Sequence, residues 1–120
     1  VALGIIGPGG GYGKLLKLAR KNAKGGVYRL VDPNDGKVMR TGRSKDLTRR
    51  AREHGRDDNF KDFDFEDVYR TDNYAEQRGL EQMLHDKYKP PLNKIKPIRD
   101  NNPNRDKYIL AAEEFLNDFD

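Results

Sequence analysis

The sequence predicts a small α+β domain in which a β-hairpin, a helix, a third strand and a second helix form the core, with a three-stranded antiparallel sheet. Three observations predict it. Two β-favouring segments flank a strong turn, apolar residues recur at helical spacing in later segments, and the length of 120 residues fits one domain. One further helix is predicted at each end of this core.

The hairpin is predicted from residues 27–32 and 37–42, which are rich in β-favouring side chains. Between them, residues 33–36 read Pro-Asn-Asp-Gly, and each of these residue types favours a tight turn. The two segments are therefore expected to pair as adjacent antiparallel strands.

The first core helix is predicted to run from a cap at Ser44 to about His54, since a serine hydroxyl can accept an unpaired backbone N–H. Leu47 and Ala51 follow at helical spacing, and Arg50 and His54 share their face. Because burying an unpaired charge is unfavourable, the two polar side chains on this apolar face are candidates for a functional site.

The third strand is expected around residues 63–69, although its apolar alternation is imperfect. Asn73 with Glu76 forms a capping-box pattern that opens a helix to about Lys89, before two consecutive prolines. A last helix is predicted over residues 105–119, where aromatic and alanine side chains recur along one side.

The chain divides at about residue 25. Residues 1–25 are expected to be a Gly-rich linker with a short basic helix at 14–24, and residues 26–120 the folded domain. The chain begins with Val1, which suggests a piece of a longer polypeptide that extends N-terminal to it. No apolar run approaches the ~20 residues that a membrane span needs, so no stable membrane association is expected.

Composition limits the chemistry. There is no cysteine, which excludes disulfides, thiolate metal sites and cysteine nucleophiles. Residues 1–56 carry 14 Lys and Arg against 4 Asp and Glu, whereas residues 57–120 carry 10 against 16, so the two parts hold +10 and −6. The basic part is typical of a polyanion binder, or of an ordinary charged surface.

Glu81 is predicted to lie within the apolar arc of the second helix, where a carboxylate needs a cation. One interpretation is a structural ion pair with Arg50 between the two helices, and the other is a functional site. His85 lies one turn beyond Glu81, but imidazole is a poor Mg²⁺ ligand, so we interpret it as a surface histidine.

Five motifs follow one another along residues 26–93. They are Gly26-Val27-Tyr28, Met39-Arg40-Thr41-Gly42-Arg43-Ser44-Lys45-Asp46-Leu47, Arg50 with His54 four positions later, Leu80-Glu81, and Lys89-Pro90-Pro91-Leu92-Asn93. Ten residues separate the first two motifs, and twelve positions separate Glu81 from Asn93. In order and spacing they resemble the GIY-YIG nuclease domain, which also has the predicted hairpin-helix-strand-helix pattern.

The resemblance implies phosphodiester hydrolysis with one divalent ion held by a single protein carboxylate. Glu81 matches the metal ligand, and Mg²⁺ or Mn²⁺ suits such a site because Mg²⁺ prefers oxygen ligands and keeps several waters. Arg50 matches the arginine that grips the phosphoryl oxygens. Tyr28 matches the tyrosine that faces the attacking water, and His54 would share its proton.

One position departs from the family pattern: Arg40 stands where the second tyrosine is expected. Tyr28 is then alone, and forming its phenolate at pH 7 costs about 4 kcal/mol unless nearby positive charge favours the anion. Arg40 is expected to bind a phosphate instead, or the domain is an inactive relative.

Further residues are expected to bind the substrate, chiefly through its phosphates. They are Arg40, Arg43, Ser44, Lys45, Arg49 and Asn93, although the Asn93 amide is better suited to fixing the turn beside Glu81. Phosphate contacts carry little sequence information, so low specificity is expected.

The Gly-rich, basic segment before the domain is similar to the layout of terminal toxin modules of bacterial polymorphic or contact-dependent toxins. This implies release as part of a larger protein, action in the cytoplasm of a target cell, and a cognate acidic immunity protein that complements the basic part. Two alternatives stay open. One is a non-catalytic nucleic-acid-binding domain, and the other is a ribonuclease acting on tRNA; DNA is favoured as the substrate.

Overall fold

The computed structural model describes residues 21–118. Its elements are β1 (Gly26–Val31), β2 (Val38–Ser44), α1 (Leu47–Gly55), β3 (Asp64–Arg70), α2 (Tyr74–Tyr88) and α3 (Arg105–Asp118). The strands form one antiparallel sheet in the order β2-β1-β3. The predicted α+β fold is therefore confirmed, whereas residues 1–20, with most of the predicted basic helix, lie outside the described residues.

Successive residues of the central strand β1 face two separate cores. Val27 packs with Leu80 and Leu84 of α2 and with Ala112 and Phe115 of α3. On the other face, a second cluster joins β1 to α1 and β3; its buried members are Tyr28, Leu30 and Leu47, and Phe60, Phe63 and Phe65 pack against them. The sheet thus separates α2 and α3 from α1.

The imperfect alternation in the third strand has a structural cause. Val27 pairs with Tyr69 but the next residue, Tyr28, pairs with Asp67, so the pairing of β1 with β3 skips Val68. One extra residue on β3 reverses which side chains face each core from that point on. A strict period of two therefore fails to describe this strand.

The predicted cap of the first core helix is corrected from Ser44 to Asp46. The Asp46 carboxylate accepts a hydrogen bond from the Arg49 backbone N–H at 3.1 Å. Ser44 is the last residue of β2, and its hydroxyl accepts from the Asp46 N–H and donates to the Asp46 carbonyl, both at 3.0 Å. The serine therefore shapes the turn that precedes the cap.

The caps of α2 follow the sequence prediction. The Asn73 side chain accepts from the Glu76 backbone N–H at 2.9 Å, and the helix ends at Lys89, whose φ of 44° stops it before the prolines. The Glu76 carboxylate accepts from the Thr71 hydroxyl at 2.6 Å. Among the described helices, none is both long and apolar enough to cross a membrane.

Candidate active site

The main cleft, of about 510 Å³, lies where the end of β2, the start of α1, α2 and the loop at residues 95–97 come together. Of its ten lining residues, six are cationic and one, Glu81, is acidic. The cationic residues are Arg43, Lys45, Arg49, Arg50, Arg78 and Lys96. Such a cleft concentrates positive potential around one carboxylate, and it suits a polyanion.

Glu81 lies on α2 with 18% of its side chain exposed, and it lines both this cleft and a neighbouring one. The Nε atom of Arg43 lies 3.5 Å from its Oε1, and no described residue donates a hydrogen bond to the carboxylate. Burial raises the pKa of Glu81, an effect opposed by the charges of Arg43, Arg78 and Arg40.

Arg50 on α1 lines the main cleft. Its Nε lies 3.5 Å from Glu53 on the same helix. That nitrogen is buried and makes no hydrogen bond within the described part of the chain. The structure therefore does not have the ion pair between Arg50 and Glu81 that the sequence allowed. Glu81 lies near Arg43 instead, and Arg50 lies near Glu53.

Tyr28 and His54 form a buried pair behind the cleft. The Tyr28 hydroxyl lies 2.9 Å from His54 Nε2, and the side chains are embedded in aromatic rings, with Phe65 stacked on Tyr28 and Phe60 edge-on to His54. The residues are 2% and 7% exposed. Neither lines the main cleft, so the structure does not bring Tyr28 to the same opening as Glu81.

Burial raises the pKa of Tyr28, and the charges of Arg50 and Arg40 oppose that rise. Burial lowers the pKa of His54, and the same two guanidiniums lower it further. Both effects favour a neutral phenol hydrogen-bonded to a neutral imidazole near pH 7. The 2.9 Å contact allows a proton to pass between the phenol and the imidazole.

Gly42 and Arg40 of the edge strand β2 lie close to the buried pair, and Arg40 also lines the second cleft. A Cβ placed on Gly42 would lie 2.5 Å from the Tyr28 hydroxyl oxygen, so the phenol packs directly on the strand backbone. The charge of Arg40 acts on Tyr28, His54 and Glu81 alike, and its guanidinium carbon lies 4.8 Å from the centre of the Phe60 ring.

The second cleft, of about 290 Å³, is lined by Arg40, Thr41, Glu81 and Asn93 among others. The Asn93 Oδ1 accepts from the Thr41 backbone N–H at 3.0 Å, which fixes the orientation of the amide. Its Nδ2 then donates to the Thr41 hydroxyl at 2.8 Å and to His85 Nδ1 at 3.0 Å. Asn93 therefore links the turn after α2 to β2 through hydrogen bonds, and His85 also takes part in this hydrogen-bond network.

The predicted site residues thus fall into three groups. Arg43, Ser44, Lys45, Arg49, Arg50 and Glu81 line the main cleft; Arg40, Asn93 and again Glu81 line the second; Tyr28 and His54 are buried behind them. The Ser44 hydroxyl is already engaged by the Asp46 backbone.

Two parts of the main cleft were not predicted from the sequence, Arg78 and the loop at residues 95–97. Arg78 lies three positions before Glu81 and lines the same cleft, a placement that helical spacing alone could have indicated. The loop is fixed by Gln82, whose Oε1 accepts from the backbone N–H of Ile98 at 2.9 Å. That contact has no sequence pattern, because a buried glutamine finds its partner through the tertiary fold.

The arrangement can hold phosphates on several cations beside a carboxylate that is available to a hard cation. Within residues 21–118, no group of three or more His, Cys, Asp and Glu side chains is placed to hold a metal ion. Comparison of the chain with protein families, with curated proteins and with solved structures finds no match.

Proposed function

We propose that this chain is a metal-dependent endonuclease of the GIY-YIG type, which hydrolyses phosphodiester bonds of DNA with low sequence specificity. The observation that carries the proposal is Glu81, a single carboxylate without a hydrogen-bond donor among the described residues, in a cleft whose other charged side chains are all Lys or Arg. A substrate rich in negative charge and a bound cation would satisfy both features at once.

The cationic side chains support phosphate binding. Lys45 and Arg49 are exposed at the start of α1, and Arg50 and Arg78 line the same cleft. Contacts of this kind hold a nucleic-acid backbone through charge, so we expect affinity to fall steeply with salt and to depend weakly on sequence.

The residues present fit one divalent ion, Mg²⁺ or Mn²⁺, at Glu81. The carboxylate opens to two clefts and accepts no hydrogen bond from the described residues, so its lone pairs are available to a cation that prefers oxygen. When bound, the ion would polarise the scissile phosphate and offset charge on the leaving oxygen. Further ligands would be water and the substrate phosphate.

Four side chains share the catalytic work in this proposal. Arg50 would contribute a permanent charge to the phosphoryl oxygens, and Glu81 would hold the ion. The Tyr28 oxygen would accept the proton of the attacking water while its own hydroxyl proton passes to His54 Nε2 across their 2.9 Å contact. Because the Tyr28 hydroxyl is buried, its role requires that the substrate or a water molecule reach it.

The biological setting is part of the same proposal. A cleft with this density of cations is complementary to an acidic inhibitor, which fits an interbacterial toxin module neutralised by an immunity protein in the producing cell. The toxin would act in the cytoplasm of the target cell.

The direct test is incubation of supercoiled plasmid with the protein and Mg²⁺, beside a chelator control and a parallel reaction on tRNA. We expect nicked or linear plasmid that disappears with chelator. Cleavage of tRNA but not of plasmid would show that the protein is a ribonuclease and not a DNase. Absence of cleavage with both Mg²⁺ and Mn²⁺ would reject the endonuclease.

A second candidate is a non-catalytic nucleic-acid-binding domain. Two observations favour it: the Tyr28 hydroxyl is buried, and Arg43 lies within ion-pair distance of the carboxylate that would hold the metal. This candidate predicts salt-dependent binding of plasmid without turnover in the same assay.

A further inference from the structure

A stacked arrangement of rings and guanidiniums borders the main cleft. The guanidinium carbons of Arg43 and Arg78 lie 5.0 Å and 5.5 Å from the ring centre of Tyr74, the first residue of α2. Arg78 also donates to the Tyr74 hydroxyl at 2.5 Å. Both arginines line the cleft, so we call Tyr74, Arg43 and Arg78 the stacked rim.

The stacked rim is open to solvent. Tyr74 is 50% exposed although two guanidiniums and the ring of Tyr108 contact it. In the same cleft, Ile95 is 79% exposed and also lines the second cleft. Three large hydrophobic side chains are exposed in the described residues: Ile95 lines both clefts, Tyr74 contacts two arginines that line the main cleft, and Leu110 lines neither cleft.

Phosphate binding does not explain these side chains, because a phosphate is held by charge and hydrogen bonds. Bases, in contrast, bind by stacking on aromatic rings and on guanidinium planes, and this contact tolerates any sequence. Exposed aliphatic side chains insert between base steps and unstack them. The cations of the cleft can bind the phosphates of a nucleotide. The exposed Tyr74 ring and Ile95 are suited to bind its base.

We propose that the stacked rim and Ile95 form a base-binding subsite, so that the substrate is a nucleic-acid strand with unstacked bases, either single-stranded or locally unpaired. This inference rests on the proposed binding of nucleic acid in the cleft. In an undistorted duplex the faces of the bases are covered by their neighbours, so the Tyr74 ring and Ile95 would have no base face to contact.

The subsite also places the strand relative to the proposed chemistry. Arg43 contacts both the ring of Tyr74 and the carboxylate of Glu81, and Arg78 lies on the same helix one turn before Glu81. A base stacked at the rim would bring its own phosphate beside Glu81. Unpaired nucleotides would therefore be cleaved in preference to paired ones.

The test compares binding of three labelled probes by fluorescence anisotropy, with the protein in chelator so that cleavage does not interfere. The probes are an oligothymidylate of about a dozen nucleotides, an abasic strand of equal length and a duplex of the same length. We expect the oligothymidylate to bind roughly tenfold tighter than the abasic strand, since stacking of this kind supplies such a difference.

The variants separate stacking from phosphate binding. Tyr74→Leu and Ile95→Ser should each weaken binding of oligothymidylate several-fold while leaving binding of the abasic strand unchanged. Tyr74→Phe keeps the ring but loses the hydroxyl that accepts from Arg78, so it should keep the preference for oligothymidylate over the abasic strand. Leu110→Ser is the matched control for an exposed apolar side chain outside the cleft, and it should change neither affinity.

Equal affinity for the oligothymidylate and the abasic strand would overturn the subsite. Equal weakening of both probes by Tyr74→Leu would also overturn it, because the ring would then act by positioning Arg43 and Arg78 for phosphates. In either case binding with a steep salt dependence, and cleavage with Mg²⁺, would leave the proposed function intact. Absence of binding to all three probes would reject both.

Discussion

The contact between Tyr28 and His54 is the feature that most constrains the chemistry at the scale of single residues. Both side chains are buried among aromatic rings, and each is the hydrogen-bond partner of the other. Burial raises the pKa of Tyr28 and lowers the pKa of His54, so it disfavours both the phenolate and the imidazolium; two nearby guanidiniums partly offset the first effect and add to the second. The pair therefore has few ways to gain a net charge, and removal of either member leaves a buried polar atom without its partner.

Tyr28→Phe should lower the rate of plasmid cleavage by about 100-fold or more, as for removal of a general base. It should also destabilise the fold by about 1–3 kcal/mol, because His54 Nε2 loses its partner. The matched control is Tyr88→Phe, which removes the hydroxyl that accepts from Arg29 at 2.7 Å and lies outside both clefts. Equal cleavage by the two variants would contradict a catalytic Tyr28.

Stability should fall as the pH drops below about 6.5 because of His54. Burial lowers its folded pKa below the ordinary value of 6.5, so between the two values the unfolded chain binds a proton that the folded chain does not. The stabilisation is present above 6.5 and is lost as the pH falls through the folded pKa. Thermal unfolding from pH 7.5 to 5.5 should show this loss in the unmodified protein and a flatter profile in His54→Gln.

At the scale of elements, α2 contributes most to the candidate site. It carries Arg78 and Glu81, which line the main cleft, and Gln82, which binds the backbone next to the loop at residues 95–97. Its packing on α3 depends on Gly79. A Cβ at that position would lie 2.0 Å from the Tyr108 carbonyl oxygen and 2.7 Å from the Ala112 Cβ.

Gly79→Ala should therefore force the two helices apart and destabilise the fold by about 3 kcal/mol, at the upper end for overpacked cores. Gly55→Ala is the control, because a Cβ at that helical position meets no atom within 4 Å. It should be neutral or stabilising by up to about 1 kcal/mol. Chemical denaturation measures both, and equal stabilities would show that α2 and α3 do not pack so closely.

Gln82→Leu tests the anchor of the cleft loop. The Ile98 N–H would lose its acceptor in a buried position, which costs about 1–3 kcal/mol. Since the loop lines the cleft through Ile95, Lys96 and Pro97, DNA binding should weaken as well. Unchanged affinity in a variant that still folds would show that the loop does not contribute to binding.

The sequence predicts the elements well because local chemistry determines them. The turn at residues 33–36, the Asn73 cap and the prolines after Lys89 each act on their own neighbours. The Ser44 cap was wrong because two capping residue types stand two positions apart, and Asp46 takes the role.

The site was predicted less completely, for a physical reason. Helical spacing identified Glu81 as an acid that needs a cation, but it could not choose among several arginines. Arg43 is the partner because β2 lies against α2, and that packing brings together residues distant in sequence. The burial of Tyr28 could not be predicted from its own neighbours in the sequence, since Leu47 of α1 and the phenylalanines at positions 60, 63 and 65 create it.

At the scale of the whole molecule, the basic part of the chain supplies four of the six cations of the main cleft, and the acidic part supplies Glu81. The two parts of the sequence therefore meet at the candidate site. A polyanion that enters the cleft relieves repulsion among the cations, and a divalent ion at Glu81 adds positive charge that a bound phosphate would balance. Ion and substrate should consequently bind with positive coupling.

The most direct test of this account is a comparison of Glu81→Gln with the unmodified protein in two assays, plasmid cleavage with Mg²⁺ and DNA binding in chelator. The exposed Glu113→Gln on α3 is the control. We predict that Glu81→Gln lowers the cleavage rate by about 100-fold or more, because the carboxylate that would hold the ion is lost. The variant should bind DNA at least as tightly as the unmodified protein, because the substitution removes a negative charge from a cationic cleft. Cleavage by Glu81→Gln at the rate of the control would contradict the assignment of Glu81 as the metal-binding carboxylate.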